Sequence, residues 1–175
     1  MAREIERKFI VRDDRWRVAS TREQRLTDGF VATTNSHKVR VRTYDARATV
    51  TIKTVRIGIG REEFEFRIPL DEARDLLAHH CGGIVLEKVR HNVVFDGLTW
   101  EIDVYEGALS GIILAEVELP EVDAVFTSPP WIGQEVTFDP DYRNTNLMTC
   151  SKARARALTV DYRGPILPVG RGTVS

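Results

Sequence analysis

Apolar and polar residues alternate along most of this chain with a period of two, in short runs separated by turn residues. That is the pattern of antiparallel strands with one apolar face each. The spacing predicts strands near 3–11, 37–44, 47–55, 61–68, 84–95, 98–106 and 112–119, with a less regular one near 26–33. Strands 37–44 and 47–55 read as a hairpin through "DAR", and strands 84–95 and 98–106 as a second through Asp96-Gly97, a strong tight-turn signal. Helices are few. One is predicted over 71–83, with Asp71 as N-cap, Leu76 and Leu77 inward and Gly82-Gly83 at its end. A short second candidate covers 120–126 and a third 144–158, and from Gly164 a segment rich in Pro and Gly forms a tail.

The polar faces of these strands are charged, and charged in same-sign pairs. Glu4/Glu6, Glu63/Glu65, Glu101/Asp103 and Glu116/Glu118 are acidic; Arg40/Arg42 and Lys88/Arg90 are basic; Lys8 and Lys53 add single cations. A plain wet sheet face mixes both signs with Ser, Thr and Gln. Like charges two apart repel, so the pairs require counter-ions. If about eight strands close into a barrel, the charges either cover its outside or line its lumen. The apolar stripe of helix 71–83 needs a partner, and Phe64, Phe66 and Ile68 immediately before it supply one on the barrel exterior, which favours a charged lumen. Unpaired buried charge costs several kcal/mol per group, so such a lumen is a wet channel occupied by ions. Carboxylate pairs suit Mg²⁺ or Mn²⁺, and Lys and Arg suit phosphate oxygens. The chemistry implied is phosphoryl transfer by positioning and charge neutralisation.

Composition narrows the field by exclusion. The 175 residues suit one domain, 1–160, with a tail over 161–175. Lys plus Arg, 25, nearly cancel Asp plus Glu, 26, so nothing points to nucleic acid or to a membrane surface. Cys81, Cys150 and four histidines show no zinc or disulfide spacing, and no apolar run nears 18 residues. The expectation is a cytoplasmic protein. His79-His80 reads as a helix C-terminus, Trp16, Trp100 and Trp131 as packing residues, and Arg154 and Arg156 as a solvated helix face.

"EIERKF" (4–9) carries a Glu-x-Glu-x-Lys pattern, followed in order by "VRVR" (39–42), "TIK" (51–53), "REEFEF" (61–66), "LEKVR" (86–90), "EIDVY" (101–105), "AEVEL" (115–119) and "DPDYRN" (139–144). This series, from residue 3 to about 158, resembles the CYTH superfamily of triphosphate tunnel metalloenzymes, in particular its short bacterial branch. The resemblance implies an α+β, mostly β fold: an eight-stranded antiparallel closed barrel with a few flanking helices. It implies a divalent metal, Mg²⁺ or Mn²⁺, held by Glu4, Glu6, Glu116 and Glu118, with Glu63, Glu65 and Asp103 assisting. Lys8, Arg40, Arg42, Lys53, Lys88, Arg90 and Arg143 would grip a triphosphate. A carboxylate such as Glu6 would orient the attacking water, and Lys8 or Lys88 would stabilise or protonate the leaving phosphate. One departure is that the branch usually has Gly-Tyr where this chain has Gly29-Phe30. Phe30 has no hydroxyl, so any proton role there is absent or passes to Tyr44, Tyr105 or Tyr142.

The leading expectation is metal-dependent hydrolysis of inorganic triphosphate to pyrophosphate and phosphate. Alternatives within the fold are a class IV adenylate cyclase or a thiamine or nucleoside triphosphatase. From other classes come a polyphosphate-binding module without turnover and a lipocalin-like binder whose charges face outward. Dimerisation is common for such barrels, so a homodimer is possible.

Overall fold

The computed structural model describes residues 2–151, 154, 155, 157 and 158; the expected tail 161–175 and Arg156 lie outside them. The strands are β1 (Ala2–Val11), β2 (Ser20–Thr33), β3 (His37–Thr43), β4 (Ala48–Thr54), β5 (Gly60–Ile68), β6 (Leu86–Phe95), β7 (Leu98–Tyr105), β8 (Ile113–Glu118) and β9 (Ile132–Glu135). Two α-helices bear on the ring, α1 (Leu70–His79) and α2 (Asn144–Met148). Every pairing is antiparallel. The order β5-β4-β3-β2-β6-β7-β8-β1 returns to its start because Ala2–Ile5 of β1 also pair with β5, so eight strands form a closed ring. β9 adds to the far part of β1 at Phe9 and Val11.

Alternation makes one face of each strand line the ring and the other face outward. The outward apolar residues are covered in two places. On one side Ile5, Phe9, Trp100, Ile102 and Val117 pack with Trp16, Leu119 and Trp131, which the connections bring in. On the other, Val41 and Ala48 meet Ala73 and Leu77 of α1. The approach is close enough that a Cβ at Gly29 of β2 would lie 2.6 Å from Cys81 Sγ, so the position requires glycine.

Several expectations are corrected. β2 begins at Ser20, because "STREQR" pairs with β6 without an apolar alternation to announce it. β9 is additional, its four residues being too short to show a period. Residues 120–126 form a turn, which lets Phe126 swing onto Phe9 and Trp100. The helix expected over 144–158 breaks after Met148; of the residues beyond it, 154, 155, 157 and 158 are helical. Helix α1 is shorter than 71–83 and Pro69 stands at its N-cap, leaving Asp71 in the first turn, where its charge favours the helix dipole. Phe64 and Phe66 are not covered by α1 and stay 38% and 55% exposed; only Ile68 joins the helix's cluster.

The lining of the ring changes character along its axis. At one end Ile10, Leu86, Tyr105 and Leu114 continue the inward faces of β1, β6, β7 and β8, and pack against Leu147, Ala155 and Leu158. Toward the other end the same faces carry the charges.

Candidate active site

A cavity of about 900 Å³ occupies the charged part of the ring. β1 contributes Glu4, Glu6 and Lys8; β3 contributes Lys38, Arg40 and Arg42; β4 contributes Lys53. Arg61, Glu63 and Glu65 come from β5, Arg90 from β6, Glu101 from β7, and Glu116 and Glu118 from β8. Arg143, held by the turn Pro140–Tyr142, closes the circuit with Asn144 and Thr145.

Strand register supplies the counter-ions that the same-sign pairs need. Directly opposite one another stand Lys8 and Glu116, Asp28 and Arg42, Lys53 and Glu63, Glu4 and Arg61, and Arg90 and Asp103. Each is an ion pair: Lys8 to Glu116 at 2.8 Å, Lys53 to Glu63 at 2.6 Å, and Arg90 to Asp103 at 2.7 Å, with Arg61 also bonded to Glu4. Lys53 further reaches Glu4 at 2.8 Å, and Arg56, from the turn after β4, bonds Glu6.

The same register leaves three like-charged pairs facing each other, and in two of them one member, Glu118 or Lys38, has no ion pair among the described residues. Glu6 stands opposite Glu118, and Glu101 opposite Glu116. The exposed side chain of Glu118 has no hydrogen bond or ion pair among the described residues; partial burial, with Glu4, Glu101, Glu63 and Glu6 around it, raises its carboxyl above the ordinary value. Lys38 stands opposite Lys53. Burial lowers the Lys38 ammonium, and Arg61, Arg143, Arg56 and Lys53 lower it further. One part of the cavity is short of cations and another is short of anions.

Arg40 shows the second shortage most directly. It is 6% exposed, its Nη2 donates to Thr51 at 3.2 Å, and the nearest carboxylates, Glu63 and Glu65, are 4.0 Å away. Its Nε is buried with no hydrogen-bond partner. Burial and the adjacent Arg42 lower its basicity. A buried, under-partnered guanidinium facing a cavity is a receptor for an anion.

From the cavity lining into the wall behind it runs a layer of compensated charge. Arg42 forms a two-pronged bond with Asp28; Lys88 lies 2.5 Å from Asp103 and 3.7 Å from Asp28; Arg90 bonds both oxygens of Asp103 and, at 3.1 Å, Glu116. Although burial alone would raise their carboxyls, Arg42 and Lys88 hold Asp28, and Arg90 and Lys88 hold Asp103, below the usual carboxylate range. Lys8 and Arg90 do the same for Glu116.

Of the residues predicted for the site, Glu4, Glu6, Lys8, Arg40, Arg42, Lys53, Glu63, Glu65, Arg90, Glu116, Glu118 and Arg143 come together around the cavity. Lys88 and Asp103 do not reach it: both are fully buried, paired with each other, on the side toward the apolar end. The cavity member of the Glu101/Asp103 pair is Glu101. Lys38 and Arg61 line the cavity without having been predicted, although each shares an inward face with predicted residues. Arg56 lies in a turn, where no period operates, and Asp28 was hidden in an irregular strand. Among the tyrosines weighed against Phe30, Tyr44 and Tyr142 line the cavity, as Phe30 does, whereas Tyr105 is buried and donates its hydroxyl to Asn144 Oδ1 at 3.0 Å.

The carboxylates form an all-oxygen donor set suited to a hard divalent cation, and Glu4, Glu6, Glu63 and Glu101 lie close enough to Glu118 to raise its carboxyl. Among the described residues no three acidic, His or Cys side chains already stand gathered as a metal site. Arg56, Arg61 and Lys53 are spread among those carboxylates as their partners.

The sequence profile of the CYTH domain family matches residues 2–147. A protein of Acetivibrio thermocellus named inorganic triphosphatase is 40% identical over 148 residues, covering 85% of this chain and 94% of its own. One of Nitrosomonas europaea with the same name is 35% identical over 148 residues, covering 82% and 95%. The crystal structure of the inorganic triphosphatase NE1496 superposes with a TM-score of 0.63 at 33% identity over 86% of this chain and 97% of that one. The PH1012 protein of Pyrococcus horikoshii, at 21% identity and a TM-score of 0.52 over 73% of this chain and 80% of its own, shares the fold.

Proposed function

This chain belongs to the CYTH domain family, and from that premise we propose that it is a divalent-metal-dependent hydrolase of inorganic triphosphate, releasing pyrophosphate and phosphate. The observation that carries the reading is the division of one cavity into a part where carboxylates face one another, Glu6 against Glu118, and a part where Lys38 and the under-partnered Arg40 stand together. A metal triphosphate answers both shortages at once.

Glu4, Glu6, Glu116 and Glu118, with Glu63 and Glu65, are the residues that would hold the cation, Mg²⁺ or Mn²⁺. When bound, it neutralises phosphate oxygens and polarises the terminal phosphorus toward attack. The chain's own groups do the rest. Arg40, Arg42, Lys53, Arg90 and Arg143 bind the phosphate oxygens, and Arg40 gains the partner it lacks. Water oxygen bonds to the terminal phosphorus while the bridging oxygen leaves with pyrophosphate. A carboxylate on the Glu6 side orients that water. Lys8, 2.8 Å from Glu116 and 3.3 Å from the Tyr142 carbonyl oxygen, would donate a proton to the leaving oxygen. Lys88 acts only from behind the wall, through its neighbours.

Phosphate release from tripolyphosphate, ATP, thiamine triphosphate and pyrophosphate, each with Mg²⁺ or Mn²⁺, tests this, with Glu6→Gln as control. Tripolyphosphate should be the preferred substrate and the variant should lose at least about 10²-fold in rate. Tight tripolyphosphate binding with no release by the native chain would replace the enzyme with a binding module, a result in keeping with Phe30 in place of a hydroxyl.

A further inference from the structure

The arginines Arg40 and Arg42 are two residues apart on β3, on one face, yet they are held in opposite ways. The difference lies in what faces them on β2. Arg40 stands opposite Phe30 and Arg42 opposite Asp28. Asp28 is wholly buried and engages Arg42 through two parallel bonds, Nε to Oδ1 at 2.5 Å and Nη2 to Oδ2 at 2.7 Å. That fork uses one edge of the guanidinium and fixes its plane. No other hydrogen bond of Arg42 is found among the described residues, so the Nη1 donors and the second Nη2 hydrogen are left for the cavity that Arg42 lines. On β4 the residue opposite Arg42 is Thr49, a small side chain that leaves the guanidinium room. Asp28 also lies 3.7 Å from Lys88, which ties it through Asp103 to Arg90. Asp28 itself does not line the cavity.

We propose that Asp28 is a positioning residue for the triphosphatase reaction: through its fork it presents one edge of Arg42 to the substrate phosphates. The inference rests on the triphosphatase reading and adds a residue to it. Asp28 touches no substrate. It fixes the plane of Arg42 by two parallel bonds, where Arg40 has a single bond to Thr51, so that Arg42 is oriented before the substrate arrives.

The test is a double-variant cycle of Asp28→Asn and Arg42→Gln. It is read in kcat/KM on tripolyphosphate with Mn²⁺, in calorimetric affinity for tripolyphosphate without metal, and in melting temperature. If Asp28 acts through Arg42, each single variant loses about 10²-fold in kcat/KM and the double variant loses no more than either. Losses that multiply, or a native kcat/KM for Asp28→Asn, overturn the proposal, since a role confined to folding moves the melting temperature without coupling the two sites. Should Asp28→Asn fail to fold, Asp28→Glu keeps both charges while displacing the fork. A loss of about tenfold or more in affinity or kcat supports the proposal, and native values refute it. If the native chain releases no phosphate, the triphosphatase reading fails separately, and the cycle is decided on affinity alone.

Discussion

The inward face of β1 reads Glu4, Glu6, Lys8 and then Ile10; that of β8 reads Glu118, Glu116 and then Leu114. One end of the ring is therefore charged and the other apolar, on the same strands and the same side. The apolar end is complete in itself: Leu114, Leu86 and Tyr105 are buried against Leu147 and Leu158. The charged end is incomplete, because its register leaves Glu6 against Glu118 and Lys38 against Lys53, and Arg40 without a carboxylate at bonding distance. The contrast teaches that stability and function are separated along the ring axis. Packing at one end holds the strands in place, and the other end keeps an electrostatic deficit that a ligand removes.

Three measurements bear on that separation. The largest effect on the fold belongs to the apolar end. Leu114→Ala should cost about 2–5 kcal/mol, as buried Leu truncations do, and lower the denaturant midpoint while leaving KM for tripolyphosphate near native. A raised KM without loss of stability would show that the two ends are not separate.

The charged end should respond in the opposite sense. Arg40→Met removes a buried cation with no carboxylate in bonding range, so stability should rise by about 1 kcal/mol while kcat/KM falls by about 10²-fold or more. A variant that is both less stable and fully active would reverse the assignment.

The smallest effect is expected in acid. Glu4, Asp28, Glu63, Asp103 and Glu116 are held below their ordinary values by neighbouring cations against the pull of burial. A group whose folded pKa is depressed contributes stability that is present above its unfolded value, about 4, and lost as pH falls through the folded value. The melting temperature should therefore change little from these groups between pH 7 and 5 and drop below about pH 4. Leu114→Ala, which removes no titrating group, should shift that curve down over its whole range. A decline already under way at pH 6 would mean that other groups dominate.

Much of this was legible in the residues. The period of two gave the strands, and the same-sign pairs on their polar faces gave a charged lumen, because such pairs are tolerated only where counter-ions surround them. "EIERKF" and the motifs after it pointed to the family. Less visible were Asp28, whose strand lacks clean alternation, and Arg56, which sits in a turn. The burial of Lys88 and Asp103 was also out of reach. Alternation tells that a side chain points inward, and is silent on how far along the axis it lies, so Glu101 and Asp103 looked equivalent.

By itself, then, the sequence determined which residues share a face, and hence that this ring is lined by charge. Only the tertiary structure decided which charge meets which. The partners in each ion pair are many residues apart, as Asp28 and Arg42 or Lys8 and Glu116 are, and their meeting depends on strand register. Shifting one strand against its neighbour by two residues would keep every inward face and exchange the partners, turning Asp28 from Arg42 toward Arg40. Register is fixed by the whole closed ring, with its turns, its apolar end and its covering segments acting together, and no local pattern encodes it.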